Sequence, residues 1–258
     1  MVTELRLRIG QKNGKSVVED SFFTSPLKLG TPNRDGGRLT VVLMMASAGV
    51  LKGDEFVYDI RCGSGTKTLL TEQSYTKIFD TGDGGAKKSQ RIEVRRGASL
   101  YYRPCAVIPF GGSTYDGELR VMLEEDSEFA CADIVTAGRV GMGERFAFRH
   151  YKNRICVEIG NMPVWLDHCL LEPATMDLEE LFFFDGYTHQ GTFYYYGDRE
   201  KQERVTDWYR VQCEKKTPSV ACGMSKAREG VCLRLLAHTA QDIEDIFVRL
   251  ADLLELES

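Results

Sequence analysis

The chain has 258 residues, with 33 Lys and Arg against 38 Asp and Glu, and a formal charge of −5. A composition that is 43% hydrophobic and 28% charged is ordinary for a globular protein and excludes disorder as the main state. The mild acidity argues against nucleic acid as a partner, because phosphate recognition needs a basic surface.

Twenty-five Gly against seven Pro, among aromatic and β-branched residues, predict many turns between short strands. Residues 1–8 lack the apolar core of a signal peptide. The most apolar stretch, residues 39–51, is too short for a bilayer and carries Thr40, Ser47 and Gly49. The expectation is a soluble, cytoplasmic protein without membrane contact. Alternation then dominates. Phe56, Tyr58, Ile60 and Cys62 face one way, and Glu55, Asp59 and Arg61 the other; Ile92 and Val94, Leu100 and Tyr102, and Leu119, Val121 and Leu123 repeat the pattern of half-buried strands. A weak repeat of strand, polar turn and strand starts at Ile60, Val94 and Leu123, 34 and then 29 residues apart. Such spacing fits either stacked coils of a solenoid or a β-meander. Toward the C-terminus the period changes. Val205, Trp208 and Val211 predict a helix over 199–215; Ile243, Ile246, Phe247, Leu250, Leu253 and Leu254, with Thr239 as a cap, predict another over 239–256. Strands are expected over 219–225 and 230–237. No linker divides the chain, so residues 1–258 read as one domain.

Motifs with chemical potential are few. Gly63-Ser-Gly-Thr-Lys-Thr68 resembles the tail of a phosphate loop, but Thr66 stands where Gly is needed and the segment joins two strands. No nucleophile elbow, Cys-x-x-Cys or His-Glu-x-x-His occurs, which disfavours a structural zinc site. The eight cysteines (Cys62, Cys105, Cys131, Cys156, Cys169, Cys213, Cys222 and Cys232) are scattered and read as reduced core thiols. His168 and Cys169 would point to opposite faces of a strand and make a poor chelate. His189 lies in a segment able to orient a ligand. Asp54, after Gly53, is first a turn residue and second a carboxylate facing a cavity or partner.

Five segments in order give the chain a recognisable signature. They are Ser47-Ala-Gly-Val-Leu-Lys-Gly-Asp54, Leu69-Leu-Thr-Glu-Gln-Ser-Tyr-Thr-Lys-Ile78, Val107-Ile-Pro-Phe-Gly111, Ala137-Gly-Arg-Val-Gly-Met-Gly-Glu-Arg-Phe146 and Phe184-Asp-Gly-Tyr-Thr-His189. Together they resemble the urease accessory protein D family, called H in some organisms. The resemblance implies a mainly β fold of stacked strands in a superhelical, β-helix-like layout with two helices near the C-terminus. It implies no catalytic activity and no tightly bound cofactor or metal. Instead it implies a chaperone-like scaffold that binds apo-urease and a helical accessory protein F, and through F a GTPase, G, during insertion of nickel. Nickel would pass transiently along an internal polar route. On this resemblance Asp54, Glu172 and Asp167 are the candidates for the nickel path, and Arg139 with Glu144 forms a structural ion pair between strands. Asp185 and His189 belong to the last motif. One departure stands out: Ala48-Gly49 replaces the usual Gly-Gly, and Ala adopts positive φ less readily. Two other readings compete, a hydrolase pairing Cys169 with His189 or His150 and a solenoid-like binding module without a metal role.

Overall fold

Two kinds of strand are written into this chain, and they separate into two sheets. The computed structural model, which describes residues 1–35, 37–215 and 219–257, begins with a hairpin of β1 (Val2–Lys12) and β2 (Lys15–Phe23). The short β3 (Leu27–Leu29) and β4 (Asn33–Asp35) and the longer β5 (Arg38–Met45) follow. Coils come next. One comprises β6 (Glu55–Cys62), β7 (Lys67–Glu72) and β8 (Thr76–Ile78); the next β9 (Ala86–Val94), β10 (Ser99–Arg103) and β11 (Val107–Pro109); the next β12 (Thr114–Leu123) and β13 (Glu128–Thr136). After a hairpin of β14 (His150–Ile159) and β15 (Met162–Leu171) come β16 (His189–Tyr196), α1 (Arg199–Lys215), β17 (Val220–Lys226), β18 (Val231–Ala237) and α2 (Ala240–Leu253). Both helices and both late strands fall where periodicity placed them. Among the described residues no helix is long and apolar enough to cross a membrane.

The first strand of each coil enters one sheet, ordered β15-β14-β12-β9-β6-β1-β2, and the second enters the other, whose path is β17-β18-β16-β13-β10-β7-β5-β3. In the first sheet β1, β6, β9, β12 and β14 are mutually parallel. In the second, β5, β7, β10 and β13 are parallel too. Parallel neighbours in both sheets select the stacked solenoid over a meander, whose neighbours are antiparallel. The predicted repeat needs one adjustment. Val94 and Leu123 are cross-strand partners, but the partner of Val94 in the preceding coil is Cys62, two residues beyond Ile60. The turns repeat as well: Gly65, Gly97 and Asp126 all take positive φ (71°, 68° and 60°), and the Gly65 and Gly97 amides donate to carbonyls of the next coil's turn.

The two sheets differ in what they bury. The first alternates cleanly. Leu7, Ile60, Ile92, Val121, Val157 and Trp165 form one inward row, while Arg6, Asp59, Arg91 and Arg120 form an outward one. The second is covered on both faces and reads as near-continuous apolar runs. Leu70, Leu100, Tyr102, Phe129 and Tyr194 face the first sheet, while Leu69, Tyr101, Phe193, Tyr195 and Leu233 pack under the helices. Trp165 and Tyr194 stack at 4.2 Å and join the sheets. The first two rings of the Tyr194-Tyr-Tyr196 segment therefore fill opposite cores.

Helix α2 starts where Thr239, in an extended conformation, accepts the Asp242 N–H at 3.1 Å. Its Ile243, Phe247 and Leu250 are buried on the second sheet, above Gly191, where a Cβ would lie 2.5 Å from Ile243 Cγ2. Phe247→Ala is expected to cost about 3–5 kcal/mol by opening this layer, against about 1 kcal/mol for Thr239→Ala, which removes only the cap. Urea unfolding of the two variants checks the ranking.

Candidate functional site

Register lines up inward-facing residues, and most rows between the sheets are apolar. Two rows in the first sheet break the rule. Phe56, Lys88, Gly117, Asn153 and Cys169 are successive partners, and beside them run Tyr58, Gln90, Leu119, Ile155 and Asp167. Opposite, Asp133, Thr192 and Arg234 are partners across β13, β16 and β18, and Glu72 ends β7.

Four polar contacts bridge the sheets along this seam. Lys88 Nζ lies 3.0 Å from Glu72 Oε1, with both side chains nearly enclosed. Asn153 Nδ2 donates to Asp133 Oδ2 at 3.2 Å. Arg234 Nη2 donates to Asp167 Oδ1 at 2.6 Å. Tyr102 also donates to Gln90 Oε1 at 2.8 Å. Gly117 provides room, since a Cβ there would sit 2.7 Å from Asn153 Oδ1. The Tyr151 hydroxyl lines the same space and has no partner among the described residues. At one end a cavity of about 230 Å³ is lined by Ser47, Gly49, Thr76, Glu72 and Lys88. It adjoins a narrow gap of about 30 Å³ lined by Glu72, Lys88, Asp133, Tyr151 and Asn153. At the other end a cavity of about 520 Å³ is lined by His168, Cys169, Phe182, Gln190 and Arg234.

The electrostatics follow from burial and pairing. Burial, the largest single influence, works against a charge on Lys88, but Glu72 together with Tyr102, Tyr58 and Tyr115 outweighs it and the ammonium titrates well above its ordinary range. Burial, with the neighbouring Asp167, pushes the Asp133 carboxyl up to about 6, although Asn153 and Lys88 pull the other way. Burial, with Asp133 and Asp167, pushes the Cys169 thiol up to about 12; the same causes raise Cys131 well above its ordinary value. Neutral thiols are poor nucleophiles and poor metal ligands. Cys169 hydrogen-bonds neither His150, which lies between Asp116 and Glu172, nor His189, which meets Thr188. No Cys–His pair of the kind a hydrolase needs is assembled among the described residues.

The family model described as UreD urease accessory protein matches residues 2–258. A urease accessory protein UreD from Acetivibrio thermocellus is 31% identical over 255 residues, 98% of this chain and 97% of its own. A urease accessory protein UreH from Helicobacter hepaticus is 31% identical over 89% of this chain and 88% of its own, and one from Helicobacter acinonychis is 35% identical over 72% and 70%. The chain belongs to the UreD urease accessory protein family.

The UreD motif residues distribute unevenly around the seam. Asp167 lines it. Asp54 does not: its Oδ2 accepts the Leu51 N–H at 2.9 Å and its Oδ1 lies 3.3 Å from the Met1 ammonium. It closes the turn that follows positive-φ Gly53, holding the segment whose Ser47 to Val50 wall the smaller cavity. Ala48 takes no positive φ. The position that needs glycine is Gly49, where a Cβ would meet Lys77 O and the Phe79 ring at 2.6 Å. Glu172 turns outward at the end of β15 to His150 Nδ1, 3.1 Å away. Arg139 and Glu144 pair, but within one loop flanking a short 3-10 turn rather than between strands, and Glu144 also accepts the Gly111 N–H at 2.8 Å. Asp185 and Gly186 supply consecutive positive φ angles for a turn, and His189 is the first residue of β16. Sequence reasoning missed Glu72, Lys88, Asp133, Asn153 and Arg234. Their signal was available: Lys88 with Gln90, and Asn153, are polar residues at the apolar phase of alternating strands.

The seam has a thermodynamic signature. A carboxyl whose folded pKa exceeds its unfolded value binds its proton more tightly when folded, so its contribution to stability is lost as pH rises from about 4 through about 6. Asp133→Asn is expected to abolish that loss and to stabilise the chain by about 1–2 kcal/mol at pH 7–8, a figure reduced because the carboxylate keeps some accessible surface. Urea unfolding at pH 4 and pH 8 should show the gap between variant and wild type opening only at the higher pH.

Proposed function

We propose that this chain is a scaffold of urease maturation, linking apo-urease to accessory protein F and through it to GTPase G, and that its polar seam offers nickel a path toward the apoenzyme. The observation that supports this reading is the row of carboxylates Glu72, Asp133 and Asp167, spread along one continuous line between the sheets and flanked by a cavity at each end. A divalent cation needs oxygen partners wherever water is excluded. It moves only if each partner is weak enough to release it. Carboxylates and amides on separate strands meet both needs, and clustered thiolates would trap the ion. The unpartnered Tyr151 hydroxyl is a further oxygen in the narrow gap. Asp54 acts in this scheme by holding the cavity wall, and Asp167 as a lining group.

Asp133→Asn tests the path, because it removes a charge and is expected to cost no stability. With apo-urease, F and G at limiting nickel, the assembly is expected to form normally while the nickel content and activity of urease fall at least about threefold, since an amide stabilises a divalent ion far less than a carboxylate. Equal nickel content would leave the solenoid as a binding module without a metal role.

The scaffold part of the proposal is supported by residues 181–183. Phe182 is 94% exposed, and Leu181 and Phe183 beside it are also exposed, whereas Phe184 is fully buried. An apolar loop of this kind is a surface for association. The chain purified alone is expected to self-associate, Phe182→Ser to reduce that, and co-expression with F to suppress it; light scattering distinguishes the three samples.

A further inference from the structure

The seam is closed at each end by an acid–base pair, and the two pairs are built differently. Lys88 and Glu72 are both enclosed, at 13% and 11% side-chain exposure. Arg234 is 48% exposed, while its partner Asp167 is only 7% exposed. The larger cavity lies beside this guanidinium, on an edge hairpin whose outer strand, β17, pairs with β18 alone among the described strands. Arg234 therefore has room to leave Asp167 without moving a strand, whereas Lys88, although it also borders a cavity, is nearly enclosed.

We propose that Arg234 is a charge gate at the wide end of the seam. Paired, it blocks Asp167 to a divalent cation twice over, by occupying an oxygen at 2.6 Å and by placing a positive charge where the ion must pass. Swung into the cavity, it leaves a nearly buried carboxylate facing the seam, next to Cys169 and one strand from Asn153. This proposal rests on the seam being the nickel path.

The test uses the complete assembly with apo-urease, F and G at limiting nickel, and reads nickel bound to urease against time by mass spectrometry, with assembly checked by size exclusion. Arg234→Gln is expected to speed the initial arrival of nickel about fivefold or more, because a like charge beside the path is removed. Arg234→Lys, which keeps the charge, is expected to stay near the wild-type rate. Arg234→Met, which keeps the apolar stem, is read in the same way as Arg234→Gln should the latter fail to assemble. Asp133→Asn is run in parallel. If Asp133→Asn slows arrival while Arg234→Gln leaves it unchanged or slower, the gate is overturned and the path stands. If Asp133→Asn has no effect, the path is overturned and the gate with it.

Discussion

In a parallel ladder each residue keeps its level from one coil to the next, so an inward residue always lies beside another inward residue. This registration makes both the core and its interruption. Where the aligned residues are Ile60, Ile92, Val121 and Val157, the row is apolar and the sheets close on it. Where they are Lys88, Gly117 and Asn153, polarity in one coil is passed to its neighbour, and a line of polar groups crosses the core instead of an isolated defect. A polar residue buried alone costs several kcal/mol. Aligned polar residues can satisfy one another, as Asn153 and Asp133, and Arg234 and Asp167, do here.

The helices have a separate part in this arrangement. By packing on the far face of the second sheet, Ile243 and Phe247 bury the aromatic face that Phe193 and Tyr195 would otherwise expose. Strands covered on both faces lose freedom to open, so the wall of the seam formed by β13, β16 and β18 is backed by a second core. The first sheet has solvent and outward ion pairs such as Arg120–Glu158 behind it. The seam thus has one braced wall and one wall free on its outer side, and Arg234 sits where the braced wall runs out.

Much of this architecture was legible in the sequence, for reasons that mark its limits. Alternation exposed the strands of the first sheet because only one of their faces is buried. Helical periodicity placed α1 and α2, and a capping Thr239 fixed the start of the second to within a residue. Doubly buried strands give no alternation, so nothing in Tyr194-Tyr-Tyr196 signals that two of its rings belong to different cores. Pairing partners are a property of coil length, which the Ile60 echo misjudged by two residues, and without pairing no sequence pattern can bring Glu72 to Lys88 or Arg234 to Asp167. Gly53-Asp54 and Asp185-Gly186 are distinctive because they build turns with unusual φ, and their conspicuousness says more about backbone geometry than about ligand contact.

Buried ion pairs seldom add stability over well-packed apolar residues, so the enclosed Glu72–Lys88 pair, and the nearly buried Asp167 that the half-exposed Arg234 meets, call for another reason. Asp133 sharpens the point. It sits between the two pairs, on a strand enclosed by two cores, with its carboxyl pushed up to about 6. The burial that raises its pKa makes it costly to the fold and, because the charge is poorly solvated, receptive to a cation that could replace the missing solvation. On the proposed path Asp167 would compete for the same cation, as would Glu72 beyond Lys88, so that no single site need hold the ion in a deep minimum. A stability cost distributed along a line in this way fits the proposed route for charge better than it fits a purely structural core.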